Sequence, residues 1–111
     1  MSSRSYYVYI LTNHLRTVLY TGVTNDLEQR IIEHWTQKGL GTSFTSKYHV
    51  YYLLFYEPFR YINDAIDREK EIKGWSRSKK MDLINQFNPD LKFLNFELFG
   101  QWPPNEITSR I

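Results

Sequence analysis

The stretch YYVYILTNHLRTVLYTGVTNDLEQRIIEH, from Tyr6 to His34, decides the fold of this chain. Its first run, Tyr6 to Leu11, is aromatic and β-branched, which is typical of a strand. A short turn around Asn13 separates it from a second such run, Val18 to Val23. Two strands joined so closely predict an antiparallel hairpin.

The hairpin carries tyrosines at the middle of both strands. Because side chains alternate between the two faces of a strand, Tyr7 and Tyr9 share a face, as do Tyr20 and Gly22. The second strand is predicted to stop near Gly22, shortly before the helical pattern begins.

A helix follows the hairpin at once. Asn25 and Glu28 match a capping box, and Asp26 adds negative charge where the helix dipole favours it. Apolar residues recur every four positions and predict a buried stripe. That stripe is predicted to contain Leu27, Ile31 and Trp35.

Two side chains flank this stripe at the spacing of one helical turn, Arg30 and His34. They place a cation and an imidazole at the helix edge, close to the strands that carry the tyrosines. Two interpretations stay open at this point: a functional pair, or an arginine that covers apolar surface beside a surface histidine.

The next two segments are predicted to be a loop and a third strand. Residues 37–47, QKGLGTSFTSK, contain two glycines and several hydroxyl side chains. This loop either presents Lys47 to a phosphate or is an ordinary connection. The apolar run from Tyr48 to Tyr56 predicts a strand covered on both faces, which Pro58 would end.

A second helix is predicted from Tyr61 to Trp75, and it contains a misplaced charge. At 100° per residue, Glu69 falls in the middle of the apolar face. An unpaired carboxylate there costs several kcal/mol, so it requires a cation, a hydrogen-bond network or a metal. An ion pair and a metal site are both open. The apolar residues of that face are Ile62, Ala65, Ile66 and Ile72.

A third helix, Ser76 to Phe87, begins with a small basic cluster, and an apolar tail follows it. Ser76 or Ser78 is the predicted cap, and Met81, Ile84 and Phe87 form the predicted stripe. The cluster is either solvated surface or a DNA contact. The tail, residues 90–111, is predicted to pack on the domain or against a second copy, with a frayed end from Pro103-Pro104 onward. The basic cluster consists of Arg77, Lys79 and Lys80.

The composition sets broad limits on the class of protein. A chain of 111 residues without cysteine fits one domain, here predicted as residues 1–111 with a core at about 6–89, and excludes disulfides and thiolate zinc sites. We expect a cytoplasmic protein without a signal peptide or membrane segment. A net charge of +2 permits a nucleic-acid partner without requiring one.

Taken together, the ordered motifs resemble the GIY-YIG nuclease superfamily, above all its small stand-alone members. The resemblance is carried by Tyr7-Val8-Tyr9, by Tyr20-Thr21-Gly22, by the helix segment GVTNDLEQRIIEH, and by the segments TSKYHVYYLLFYE and AIDREKEIKGWSRSKK. It covers residues 6 to 89. The first motif lacks the glycine of the family's wording, and the second has threonine in place of isoleucine. The implied fold is α+β, a three-stranded antiparallel sheet flanked by helices.

The resemblance also implies roles for individual residues. Tyr9 would accept a proton from the attacking water, Tyr20 would orient water or phosphate, and Arg30 would clamp a phosphate oxygen. His34 matches a position often occupied by histidine, and Glu69 would bind Mg²⁺ or Mn²⁺, which stabilises the leaving 3′ oxygen. The residues expected to contact nucleic acid are Gly22, Lys47, Arg77, Lys79 and Lys80.

The expected function is therefore a metal-dependent endonuclease that acts on DNA, in repair or processing, without a small-molecule cofactor. Two alternatives remain: a nucleic-acid-binding module that keeps the fold without turnover, and a protein-interaction module. The apolar tail also makes a homodimer a candidate assembly.

Overall fold

A three-stranded antiparallel sheet forms the centre of the computed structural model, which describes residues 5–104. Strand β1 spans Tyr6–Thr12, β2 spans Leu19–Thr24 and β3 spans Tyr52–Phe59. β1 lies in the middle and pairs antiparallel with both neighbours, so the predicted hairpin is confirmed. With helices packed on the sheet, the predicted α+β class is confirmed as well.

Within residues 5–104, five helices accompany this sheet. They are α1 at Leu27–Thr36, α2 at Phe44–Lys47, α3 at Ile62–Lys73, α4 at Arg77–Phe87 and α5 at Asn95–Phe99. Two of them were missed: α2 lies inside the predicted loop, and α5 lies inside the predicted tail. Both are one turn long, too short to show a helical period in the sequence.

The helix caps correct one prediction and support another. α1 is capped by Asp26, whose side chain accepts from the backbone N–H of Gln29, so the capping box that begins at Asn25 is wrong. α4 is capped by Ser76, one of the two predicted serines. An aspartate cap also places negative charge at the helix N-terminus, which the helix dipole favours.

The sheet separates two apolar cores, because successive side chains of β1 point to opposite faces. Val8 and Ile10 pack with buried residues of α3 and α4 on one face. Tyr9 and Leu11 pack with α1 and the C-terminal segment on the other face. The helix residues in these cores are Ala65, Ile72 and Ile84 on the first face, and Leu27 and Ile31 on the second.

Five predicted stripe residues are not fully buried, and two of them, Ile66 and Met81, are partly buried. Trp35 is only partly buried, and the buried residue at the end of α1 is His34 instead. Ile62 and Phe87 are exposed, and each lies at an end of its helix. The ring of Phe87 still packs edge-on against Phe55.

The bounds of β3 differ from the predicted Tyr48–Tyr56. The chain turns at His49, whose φ is 56°, so the strand begins only at Tyr52. It continues through Pro58 to Phe59 because β3 is an edge strand, and an edge strand tolerates a proline without an N–H. The middle of β3 is covered on both faces, as its apolar run predicted: Leu53 belongs to one core and Phe55 to the other.

The segment after α4 closes the outer edge of β3. Leu94 donates its backbone N–H to the Leu53 carbonyl at 2.8 Å. The buried Asn95 amide accepts from Leu53 N–H at 2.6 Å and donates to the Tyr51 carbonyl at 2.9 Å. The frayed end was predicted from Pro103 onward, but Pro104 is buried, so that prediction is wrong at its start; residues 105–111 lie outside the described residues. Within residues 5–104 no helix has the length and apolarity needed to cross a bilayer.

Candidate active site

The hairpin places Tyr9 directly opposite Gly22 and brings its ring to Tyr20. In the β1–β2 register Tyr9 faces Gly22, and the centroids of the Tyr9 and Tyr20 rings are 6.3 Å apart. A Cβ at residue 22 would lie 2.5 Å from both Cζ and Oη of Tyr9. Gly22 is therefore required for the close approach of the Tyr9 phenol to β2.

Arg30 of α1 approaches Tyr9 from the side. Its Nε donates to Tyr9 Oη at 3.4 Å, and its Nη1 donates to Glu33 at 2.8 Å. Both hydrogen bonds raise the pKa of Arg30, and the bond from Arg30 lowers the pKa of Glu33. The guanidinium is therefore held in place, while its part-exposed side leaves N–H donors for an anion.

His34 is buried beneath the two tyrosines. Its Nε2 lies 3.2 Å from Tyr9 Oη, and its Nδ1 lies 3.0 Å from Thr45 Oγ1 of α2. Burial, followed by the nearby Arg30 charge, lowers the pKa of His34 to about 4. The imidazole is neutral at pH 7 and links β1 to α2, so the interpretation as a surface histidine is wrong.

Tyr9 occupies the centre of this chain of hydrogen bonds. It is 1% exposed, and burial raises its pKa to about 12 despite the opposing hydrogen bond from Arg30. The phenol is thus protonated at pH 7. The His34 tautomer with its proton on Nδ1 satisfies all three contacts: the Tyr9 oxygen accepts from Arg30, the Tyr9 O–H donates to Nε2 of His34, and the Nδ1–H donates to Thr45.

Glu69 lies on α3 with its side chain 13% exposed, as its position in the apolar face predicted. Its carboxylate pairs with Lys73 Nζ at 2.6 Å, one helical turn further on. This hydrogen bond raises the pKa of Lys73, and the nearby Tyr20 phenol adds a smaller contribution. The ion-pair alternative therefore holds for Glu69, and the pair lies beside Tyr20.

A cleft runs along the outer edge of β2 between α1 and α3. Arg30 lines one wall of a cavity of about 440 Å³, and Ile62 and Ile66 line the other. Further along α3, Lys73 comes close to Tyr20. Glu69 lies on α3 between Ile66 and Lys73, and among the described residues that line this cavity Arg30 is the one proposed catalytic residue.

The carboxylate of Glu69 fits a single hydrated divalent cation. Among residues 5–104, no group of three or more histidine, aspartate or glutamate side chains is arranged to hold a metal. One carboxylate with water and phosphate oxygens is nevertheless a normal set of ligands for Mg²⁺. The buried Thr21 hydroxyl lacks a hydrogen-bond partner within the described residues and lies on the sheet face that α3 covers. Lys73 is 52% exposed, so it has room to move off Glu69.

The basic residues expected to contact nucleic acid are not part of this hydrogen-bonded set. Arg77 donates to the backbone carbonyls of Arg16 and Thr17 in the β1–β2 turn. Lys79 Nζ lies 4.4 Å above the Trp75 ring. Lys80 is partly buried on α4, and Lys47 is exposed on α2. Arg77 thus stabilises the hairpin turn.

Sequence patterns did not identify three residues of the site: Glu33, Thr45 and Lys73. Glu33 and Lys73 follow their partners at i+3 and i+4, a spacing that signals helical ion pairs. That signal existed but could not separate these pairs from the others on the same helices. Thr45 gave no local signal, because it meets His34 only through the fold.

The chain is similar in sequence to a known family of proteins. Residues 5–82 match the family described as the GIY-YIG catalytic domain. A UPF0213 protein of Staphylococcus saprophyticus is 41% identical over 61% of this chain and 80% of its own length. A UPF0213 protein of Haloquadratum walsbyi is 37% identical over 73% of this chain and 88% of its own.

A solved structure is also similar in sequence. The solution NMR structure of a UPF0213 protein from Bacillus halodurans is 33% identical, covers 74% of this chain and 84% of its own, and superposes with a TM-score of 0.47. The family match extends over the hairpin, α1, β3 and α3, which carry the arginine, histidine, tyrosines and glutamate described above. The chain belongs to the GIY-YIG family.

Proposed function

We propose that this chain is a divalent-metal-dependent endonuclease that hydrolyses phosphodiester bonds of DNA. One observation carries the proposal: Arg30 lines a cleft and is hydrogen-bonded to the buried pair of Tyr9 and His34, and the mostly shielded carboxylate of Glu69 lies on α3, the helix whose first half lines the other side of that cleft. An anion binder, a proton path and a metal ligand thus flank one strand edge, which is the set of groups that phosphodiester hydrolysis requires.

Arg30 has the role of phosphate clamp in this proposal. Its guanidinium is permanently charged and planar, and it lines the cavity from the α1 side. Tyr9 is buried behind it, so the attacking water reaches the Tyr9 hydroxyl only after Arg30 turns toward a phosphate oxygen. Binding of the substrate phosphate by Arg30 therefore also exposes the Tyr9 hydroxyl to water.

Tyr9 and His34 then provide the route for the proton. The water oxygen forms the new bond to phosphorus while its proton moves to Tyr9 Oη and the Tyr9 proton moves to Nε2 of His34. The bond from phosphorus to the 3′ oxygen breaks in the same step, and the 3′ oxygen takes a proton from solvent. This relay fits the raised pKa of Tyr9 better than a phenolate base does, since the phenol is protonated at pH 7. Tyr20, which is partly exposed, orients the water or the phosphate.

Glu69 is the proposed ligand for Mg²⁺ or Mn²⁺. A bound divalent cation supplies charge neutralisation at the phosphate and at the leaving 3′ oxygen. Glu69 holds its carboxylate in a mostly shielded position, and Lys73 neutralises it until the ion arrives.

A plasmid-nicking assay with Mg²⁺ or Mn²⁺ tests the proposal. Glu69→Gln keeps the size of the side chain and removes the charge, so cleavage is expected to fall by about a thousandfold or more. The matched control is Glu71→Gln, an exposed glutamate on the same helix that pairs with Arg68 and should leave cleavage unchanged. Equal rates for Glu69→Gln and the wild type would show that the metal assignment is wrong.

The second candidate is a DNA-binding module without turnover. The pair between Lys73 and Glu69 favours it, because the carboxylate already has a cation. DNA binding without nicking at any Mg²⁺ or Mn²⁺ concentration would select this candidate. The nuclease proposal also includes a cytoplasmic location, a role in DNA repair or processing, and residues 1–111 acting as one domain. A third candidate, a protein-interaction module, would be favoured by a stable dimer that does not bind DNA.

A further inference from the structure

A row of aromatic rings leads from the buried Tyr9 to the protein surface. The rings of Tyr20 and Phe44 are stacked, with centroids 6.4 Å apart and planes at 22°. Phe44 in turn contacts Tyr48, at a centroid distance of 4.9 Å. Tyr9 is buried, whereas Phe44 is 44% exposed and Tyr48 is 45% exposed.

The exposure of these two rings follows from how α2 is attached. Thr45 and Ser46 face inward: Thr45 bonds His34, and Ser46 Oγ donates to the Gln37 carbonyl at 2.8 Å. Phe44 and Tyr48 are four residues apart and therefore point to the same, outer side of this turn. The polar inner side already anchors α2, so two large rings on the outer side are not needed to hold it in place.

Positive charge accompanies the exposed rings. The exposed Lys47 lies between them in sequence, and its Nζ is 5.6 Å from the centre of the Tyr48 ring. A cation beside flat aromatic faces is complementary to a nucleotide, which offers a phosphate and a planar base. The same surface joins the candidate active site through the Tyr20 ring.

We propose that Phe44 and Tyr48 form a stacking surface for a nucleobase of the DNA strand that is cut, with Lys47 contacting its phosphate. The inference rests on the nuclease proposal and adds a substrate class to it. A base can lie flat on these rings only when it is unpaired, so the substrate has an unpaired nucleotide next to the scissile phosphate. Base stacking on one aromatic ring typically changes affinity by about ten- to a hundredfold.

The test measures binding separately from cleavage. In the Glu69→Gln background, fluorescence anisotropy reports the Kd of a labelled oligothymidine and of a hairpin duplex without unpaired ends. Phe44→Leu and Tyr48→Leu are expected to weaken binding of the single strand about tenfold each, with little effect on the duplex. Phe44→Trp keeps a ring and should keep the affinity.

The matched control is Phe96→Leu, an equally exposed ring on α5, beyond the opposite edge of the sheet. It should leave both Kd values unchanged. Photocrosslinking with a 5-iodouracil oligonucleotide adds a direct measurement, because this base crosslinks to the aromatic ring on which it is stacked. Mass spectrometry is expected to find the adduct at Phe44 or Tyr48.

Three results would overturn the stacking surface: unchanged affinity in both leucine variants, equal weakening by Phe96→Leu, or crosslinks at other rings only. A surface for a protein partner would give the first of these. Failure of the nuclease proposal gives a different result. In that case the wild type binds single strands through these rings but does not nick DNA with any divalent ion.

Discussion

The two outer edges of the sheet are completed in opposite ways. The edge at β3 is closed by Leu94 and Asn95, which satisfy backbone groups of the residues at its start. The edge at β2 pairs with no further strand among residues 5–104, and α1 and α3 form walls on either side of it. One edge is used for stability, and the other is left available for a ligand.

The charges follow the same division. The polar contacts that close the start of β3 come from a neutral amide and the backbone, which suit a buried structural position, and the charged Glu57 lies further along the strand, paired with Arg68. The β2 edge gathers Arg30, Glu69 and Lys73, charged groups that are only partly shielded from water. Charges concentrate where a charged substrate is expected, so changes at the two edges should separate stability from activity.

Asn95→Leu should have the largest effect on stability. It leaves the Leu53 N–H and the Tyr51 carbonyl without a partner, and the cost of about 1–3 kcal/mol for each predicts a loss of about 2–6 kcal/mol. Urea unfolding measures the loss, and cleavage by the folded fraction should be unchanged. The exposed Asn85→Leu is the control; equal stability of the two variants would contradict the edge-closing role of Asn95.

His34 should make the β2 side sensitive to acid. Its pKa is about 4 in the folded protein and 6.5 as the ordinary value, so the unfolded chain gains a proton first as the pH falls. Stability is therefore retained above pH 6.5 and lost toward pH 4, by about 3 kcal/mol.

His34→Gln isolates this contribution, because glutamine does not titrate in that range. Unfolding free energies are measured for both proteins between pH 7 and pH 4. Over that range the wild type is expected to lose about 3 kcal/mol more than the variant. Parallel pH profiles would show that the imidazole is not held neutral by the fold.

Gly22→Ala should perturb the site by crowding Tyr9. The new Cβ would lie 2.5 Å from the phenol, so the ring must shift, at a cost of about 1–3 kcal/mol and with loss of the Tyr9–His34 bond. Thermal unfolding and the NMR shifts of His34 report the two effects. Gly41→Ala is the control, because its Cβ would meet Ser46 Oγ at an ordinary 3.7 Å, and equal changes in both variants would count against crowding.

Lys73→Met should have the smallest effect on stability. A half-exposed helical ion pair contributes less than about 1 kcal/mol, so the melting temperature should change little. Affinity for Mn²⁺, measured by electron paramagnetic resonance, should rise a few-fold because the ion no longer competes with the ammonium for Glu69. The exposed Lys70→Met should leave that affinity unchanged, and an unaltered affinity in Lys73→Met would exclude the competition.

Sequence periodicity was sufficient for the elements that carry the site. Strand alternation predicted the hairpin, and the helical angle alone singled out Glu69 as inward-turned. It could not find Asn95, because that amide meets residues more than forty positions away. Nor could it find the contact between Thr45 and His34, because that contact depends on where α2 is placed. Local patterns reveal which face a residue occupies, but not which distant residue meets it there.

The closure of β3 has a practical consequence for trimming this chain. The family match ends at residue 82, before Leu94 and Asn95. A fragment cut at that boundary would keep every proposed catalytic group and yet expose unsatisfied backbone N–H and C=O groups along an apolar strand. Such an edge recruits other chains, so we expect the shortened protein to aggregate while the longer one remains dispersed.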